Sequence, residues 1–248
     1  TQHVDHEVFT CGRCGSSSFR SLELPLLWSW LFRRLHGSLS ELSIRPPIDA
    51  GHLPTRSGII GVRHCGLRIL VSPENVVLLT RPLPAAMSDA GQRLDLQPDP
   101  RSNDPRLLRN KTVNYLPGLL AWQDARAGGF DDVLFYRDKQ DIRECSRSNI
   151  FFVRAGRILT PDCSCGLLPG IVRQWIMGRY PVETGVYPIS EILSADTVFI
   201  TNSVIGIRSV SQIGSQAYTA EAHPITADIA ETYMDELIRP ALVPDHNR

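Results

Sequence analysis

Leucines at 27, 31, 35, 39 and 42 recur every three or four residues, with Arg33, Arg34, His36 and Glu41 between them. That spacing draws one apolar face on a helix, so residues 25 to 43 are expected to be helical and to stop at Pro46-Pro47. From Gly58 to Leu79, β-branched and aliphatic residues alternate with polar ones around Ser72-Pro73-Glu74-Asn75, which predicts a hairpin. The pattern then lapses. Ser88 to Arg106 is polar and carries Asp89, Gly91, Pro98, Asp99, Pro100, Asp104 and Pro105, the composition of an interdomain linker.

Periodicity returns after it. Val113 to Ala127 reads as a helix with Pro117 in its first turn, where the missing N–H is tolerated. Short strands are predicted at Val133–Tyr136, Asn149–Val153 and Arg157–Leu159. Pro169 to Tyr180 is a second helix entered through Pro169-Gly170, Val198–Thr201 a buried strand, and Thr226–Ile238 a closing amphipathic helix. No internal repeat is visible. The chain is expected to be α+β in two unequal halves, not a regular βαβ alternation: a smaller N-terminal domain over 1–87, a linker over 88–110 and a larger domain over 111–248.

Composition narrows the partners. The 248 residues carry 26 basic and 26 acidic side chains, so there is no net field to hold nucleic acid or an anionic membrane. No apolar run reaches the ~18–20 residues of a membrane span. The most apolar one, Leu22 to Phe32, contains Glu23 and sits too far from the terminus for a secretory leader. A cytoplasmic location is expected. Six cysteines, with Cys11 and Cys14 as C-x-x-C and Cys163 and Cys165 as C-x-C, admit a zinc site, a disulfide or a redox pair. The pairs lie far apart and C-x-C is an unusual zinc spacing, so free thiols and no metal are expected. Lysine occurs only at 111 and 139, which leaves two candidates for any chemistry that needs an amine.

The chemistry-bearing stretch runs from Lys111 to Ser203. Lys111-Thr112-Val113-Asn114-Tyr115-Leu116 places a lysine at the expected start of a helix. Arg143-Glu144-Cys145-Ser146-Arg147-Ser148-Asn149-Ile150-Phe151 is a polar turn running into an apolar strand. Thr160-Pro161 and Leu168-Pro169-Gly170-Ile171 follow, then Phe199-Ile200-Thr201-Asn202-Ser203. Taken one at a time, each has an ordinary reading: a solvated lysine, a turn carboxylate, helix entry, strand-end loop chemistry.

As an ordered set they resemble the class-IV aminotransferase family of fold-type IV pyridoxal-phosphate enzymes, which contains branched-chain and D-amino-acid aminotransferases and 4-amino-4-deoxychorismate lyase. The resemblance covers about 95 to 220, and extends to the N-terminus through Gly15-x-x-x-Phe19, Arg34-Leu35 and Arg81-Pro82-Leu83-Pro84. It implies two α/β domains with pyridoxal 5′-phosphate between them, and a homodimer. By motif, Lys111 matches the Schiff-base lysine that later shuttles a proton, and Glu144 the carboxylate beside the pyridine nitrogen. Gly170, Ile171 and Val172 match the helix N-terminus that binds the phosphate, Ser203 and Val204 a second phosphate turn, Arg34 the arginine of the smaller domain, and Tyr115 a tyrosine on the 3′-oxygen. Lys139 has no such match and is expected to be solvated.

Departures bear on the substrate. Cys14-Gly15-Ser16-Ser17-Ser18-Phe19-Arg20 stands where many relatives have Tyr-Gly-Asp-Gly-x-Phe-Glu, and only Leu24-Pro25-Leu26 remains of a hairpin usual before the Arg34 helix. Val172 replaces a frequent Thr, and Ser209 a common Pro. Asn114-Tyr115-Leu116 looks like the transaminases, whereas Glu144-Cys145 and Thr201 to Ile207 look like the lyase. The resemblance thus implies an aminotransferase acting on small-molecule amino acids. The alternatives are a lyase that releases pyruvate and 4-aminobenzoate from aminodeoxychorismate, and an inactive relative with a binding role.

Overall fold

The computed structural model describes residues 4–10, 27–45, 65–82, 91–137, 141–219 and 223–238. They fall into two compact units. The smaller takes those within Thr1–Ala86, Lys111–Val113 and Thr232–Arg248, and the larger those within Met87–Asn110 and Asn114–Glu231.

In the smaller unit, β1 (Val4–Thr10), β2 (Cys65–Val71) and β3 (Val76–Pro82) form an antiparallel sheet in the order β1-β2-β3. Val71 pairs with Val4 on one side and Val76 on the other. The hairpin turn falls where the alternation placed it. Ser72 closes it, its Oγ accepting from the N–H groups of Glu74 at 3.2 Å and Asn75 at 2.9 Å. The 58–64 part of the expected hairpin lies outside the described residues. Helix α1 (Leu27–Glu41) packs on β1 and buries Leu31, Leu35 and Leu39, the face that the leucine spacing draws. It ends before the prolines. Ser43 takes a left-handed conformation (φ 55°) and the Ile44 N–H reaches back to the Leu39 carbonyl at 2.9 Å, a six-residue closure that uses up an end carbonyl. Pro46-Pro47 lies outside the described residues.

The larger unit is built on one long, mixed sheet. Its strands are β4 (Gln92–Pro98), β5 (Asp132–Tyr136), β6 (Ile142–Cys145), β7 (Asn149–Arg154), β8 (Arg157–Pro161), β9 (Val182–Gly185), β10 (Thr197–Asn202) and β11 (Gly206–Ile213). They run in the order β6-β5-β4-β11-β10-β7-β8-β9, with the short β12 (Gln216–Ala217) paired to the end of β11. β4 runs parallel to both its neighbours, and β8 parallel to β9. The helices are α2 (Pro105–Arg109), α3 (Leu116–Ala127), α4 (Ile171–Arg179), α5 (Ile189–Leu193) and α6 (Pro224–Tyr233); the last two residues of α6 and the π-helical turn that continues it, Met234–Ile238, belong to the smaller unit.

Side chains alternate across the sheet as the two-residue period requires. Leu94, Leu134, Ile150, Phe152, Val198, Ile200 and Val210 share one core with Ile189 and Ile192 of α5. On the other face, Ala121 and Ala125 of α3 meet Val133 and Phe135, and the rings of Phe151 and Phe199 stack 5.0 Å apart. α4 packs against β10.

Three expectations are corrected. The stretch read as a linker supplies β4, a central strand, and α2. Its alternation is short, Leu94 and Leu96 between polar residues, and the flanking Pro and Asp hide it. The helix expected from Val113 begins at Leu116, because a helix through 113 would drive the Pro117 ring against the Val113 carbonyl. Lys111 therefore precedes the helix, in the segment that joins α2 to α3. Finally, Arg143, Glu144 and Cys145, read as the start of a polar turn, belong to a fully buried strand, Ile142–Cys145.

Candidate active site

Two ordinary strands, β6 and β7, carry the centre of the site, and the turn between them is the Glu-x-Ser-x-Ser-Asn motif. β6 carries Arg143 and Glu144, both buried. Charges are rarely buried unless paired, and here they are. Glu144 Oε1 accepts from Arg101 Nη1 at 2.7 Å, while Oε2 accepts from Asn149 Nδ2 and from the Leu168 N–H, each at 3.1 Å. Burial pushes the Glu144 carboxyl above its usual range, against the pull of the Arg101 charge. Burial alone would also raise Asp99, but the Arg101 fork, with Arg143 behind it, holds Asp99 below the ordinary carboxylate value.

Asn149 links this carboxylate to a helix end. Its amide also donates to the Leu168 carbonyl at 2.8 Å, and its Oδ1 lies where a Cβ on Gly170 would fall. Gly170 is the N-cap of α4 and provides no side-chain cap, so the first N–H groups of α4, at Ile171, Val172 and Arg173, lack intrahelical acceptors. Across the β7–β10 ladder Asn149 stands opposite Thr201, whose hydroxyl is buried and has no partner among the described residues.

The 203–205 turn is organised by Asn202, the last residue of β10. Asn202 Oδ1 accepts from the N–H groups of Val204 and Ile205, each at 2.8 Å. Its Nδ2 donates to Ser148 Oγ at 2.9 Å and to the Arg147 carbonyl at 3.1 Å. One side chain therefore ties this turn to the loop after Glu144. Val204, matched to a phosphate contact, has its N–H committed to Asn202. In the same loop the Ser146 hydroxyl donates to Asp132 Oδ1, and burial raises the Asp132 carboxyl. Arg147 turns outward and stacks on Trp122, 4.5 Å from the ring centre.

Glu144, Gly170, Ile171, Val172, Ser203 and Val204 thus belong to the larger unit, as does Tyr115, which is exposed at the N-cap of α3. Lys111 and Arg34, both half-buried, belong to the smaller one. Lys139, the Gly15–Phe19 segment and Cys11 and Cys14 lie outside the described residues. Cys145, Cys163 and Cys165 are free thiols, the first and last buried and Cys163 exposed. Among the described residues, no cluster of three His, Cys, Asp or Glu could hold a metal, and no helix is long and apolar enough to cross a membrane. Sequence reasoning missed Asn149 and Asn202 as site residues. It also missed Asp99 and Arg101, whose only signal was a Pro-Asp-Pro that spoke for a linker.

The donors and acceptors fit pyridoxal phosphate: an uncapped helix N-terminus for a phosphate, a spare buried hydroxyl near it, and a buried carboxylate for a protonated ring nitrogen. A comparison with known proteins agrees. The family described as Amino-transferase class IV matches residues 32–213, and the chain belongs to that family, whose members use pyridoxal phosphate. A D-alanine aminotransferase of Listeria innocua is 29% identical over 135 residues, which are 52% of this chain and 46% of that protein. The chain spans about half the length of such relatives. Two solved structures share the fold. One is a Legionella pneumophila protein assigned as a 4-amino-4-deoxychorismate lyase (22% identity, TM-score 0.80, 94% of this chain and 91% of that one). The other is the branched-chain aminotransferase of the thermophilic archaeon Thermoproteus uzoniensis, solved with norvaline (22%, TM-score 0.82, 97% and 86%).

Proposed function

We propose that this chain is a pyridoxal-phosphate-dependent aminotransferase that acts on small-molecule amino acids through Lys111. The observation that carries the reading is the link made by Asn149: a buried carboxylate, Glu144, is joined by one side chain to the turn that opens an uncapped helix. That link supports reading Glu144 as the ring-nitrogen partner and the Gly170 turn as the anion site, in a chain whose family uses a cofactor with both groups.

When bound, pyridoxal phosphate supplies an electron sink for the charge left at the substrate Cα. The residues do the rest. With the group bound, the N–H groups of Ile171 and Val172, at the Gly170 turn, and Ser203 would hold the phosphate, Val204 would shape the turn, and by the family resemblance Arg34 would contribute a guanidinium. Glu144 would accept a hydrogen bond from the protonated ring nitrogen, and Tyr115 would bond the 3′-oxygen. Lys111 would supply the amine that holds the cofactor's aldehyde end and, when that amine is free, would carry a proton to and from the substrate Cα. The working protein is a homodimer, a reading supported by the exposed row Leu116, Leu119 and Leu120 on one face of α3.

The test is the absorbance of purified protein with pyridoxal phosphate, for the parent and for Lys111→Ala. A visible band present in the parent and lost in the variant, with the far-ultraviolet circular dichroism unchanged, is expected. Loss of that band with an amino acid and its return with a 2-oxo acid identify transamination. Pyruvate and 4-aminobenzoate from an aminodeoxychorismate-generating mixture identify the lyase instead. Equal bands in parent and variant remove Lys111 from the chemistry, and no band in the parent leaves a binding role.

A further inference from the structure

Glu144 is the last member of a buried row of four charges. Arg143 Nη1 donates to Asp99 Oδ2 at 2.6 Å, and Arg143 Nε to the Cys165 carbonyl at 2.6 Å. Asp99 takes Arg101 by two nitrogens, Nη2 at 2.7 Å on Oδ2 and Nε at 2.9 Å on Oδ1, and takes the Arg101 backbone N–H as well. The Phe135 ring lies 5.0 Å from the same guanidinium. The side chains of Arg143 and Asp99 are 1% and 2% exposed. The signs alternate and sum to zero.

Such a row is poor at stabilising a fold, because the attraction across its three ion-pair contacts recovers little more than the desolvation of its four charges. Its geometry suggests another use. With Nε and Nη2 held by Asp99, the planar fork leaves Nη1 as the one nitrogen free to reach onward, and Nη1 meets Glu144 Oε1. Three donors, Arg101, Asn149 and Leu168, converge on Glu144. An ionised carboxylate can accept all three and keep one of its roughly four lone-pair sites, whereas a protonated one would turn its own hydrogen on a donor. We infer that Arg101, anchored by Asp99, is a positioning residue that keeps Glu144 ionised and aimed, with one acceptor site left for a cationic ring nitrogen. The last step rests on the reading of Glu144 proposed above; the first does not.

The surroundings leave this task to Arg101. Burial opposes the charge on Glu144, and Asp99 opposes it too. Asn149 and Leu168 offer neutral donors. Arg143 and Cys145 flank Glu144 on its own strand, Arg143 directing its fork to Asp99 and Cys165, and the Cys163 thiol near the start of the loop to α4 is uncharged. Among the described residues, Arg101 is the cation bonded to Glu144.

The experiment is an infrared pH titration of the full chain without added cofactor, with Glu144→Gln as the reference that identifies the Glu144 carboxyl band. The parent should show no protonated Glu144 at pH ~7, where an ordinary carboxyl is ionised. Arg101→Met should raise its titration midpoint by about one to three pH units, the usual effect of losing an opposite charge in contact. Arg101→Lys, which keeps the charge but loses the fork that Asp99 holds, should restore only part of the difference, and circular dichroism should report a folded chain throughout. If Arg101→Met does not fold, Arg101→Gln, which keeps a donor without the charge, carries the same expectation. A midpoint unmoved in the neutral variant, or a protonated Glu144 in the parent at pH ~7, overturns the inference. In the cofactor-loaded protein, kcat should fall more than KM changes. A parent that takes up no cofactor would end the pyridoxal-phosphate reading and leave the infrared result to decide the clamp.

Discussion

The side-chain oxygen of Asn149 occupies the space that any side chain on Gly170 would need. The glycine at the head of α4 is thus required by a neighbour on β7 and not by its own backbone, which is in the ordinary extended region (φ −63°, ψ 145°). The same asparagine holds Glu144. A change at Gly170 therefore reaches the carboxylate through one side chain.

Gly170→Ala should push Asn149 off both of its partners. The expected result is a loss of about 1–3 kcal/mol in stability, the usual cost of overpacking, together with weaker uptake of pyridoxal phosphate. Urea unfolding and a cofactor titration measure the two effects. A variant as stable as the parent would mean that Asn149 has room to move.

Asn202→Ala removes the acceptor of two consecutive N–H groups and the donor to Ser148. Partly buried N–H groups left without partners cost about 1–3 kcal/mol. The 203–205 turn should loosen, so inorganic phosphate should compete with the cofactor less well than in the parent. Equal competition would show that the turn holds its shape without the cap.

Asp99 and Glu144 should move stability with pH in opposite directions. Asp99 is held below the ordinary 3.8 in the folded chain, so its contribution is present above that value and is lost as pH falls through it toward the folded one. Glu144 is raised above 4.5, so the folded chain gains from it as pH falls through the raised value. Asp99→Asn should therefore flatten the acid side of the stability curve, and Glu144→Gln should steepen it. Asp99→Asn also strands two buried guanidiniums and should cost ~3–5 kcal/mol near neutral pH. Urea midpoints from pH ~3 to ~7 would test both; parallel curves for the variants and the parent would refute the assignment.

On α3, Leu116 is 62% and Leu120 50% exposed, one turn apart on the same face. If this face joins two copies, Leu116→Glu with Leu120→Glu should give a monomer by light scattering while circular dichroism stays unchanged. A parent that is itself monomeric would end the homodimer reading.

Much of the fold could be read from local patterns. The leucines of α1, the Ser72 turn, and the apolar runs of β5, β7 and β10 each carry their own period, and one buried face settles such a period locally. The ordered motifs led to the family for the same reason: Glu144, Gly170 and Ser203 each sit at an element boundary with a recognisable composition.

What the tertiary structure alone decided is how distant polar residues share burial. β6 carries Arg143-Glu144, which reads as a turn until Asp99 and Arg101, more than forty residues earlier, neutralise it. β4 reads as a linker until β5 and β11 flank it. A buried charge is stable only beside its partner, and a polar strand only between two others. Neither condition is visible in a stretch of chain taken alone. The amino-acid sequence determined the elements, their order and the types of residue that bear the chemistry. The packed chain determined which side chains hold them in place.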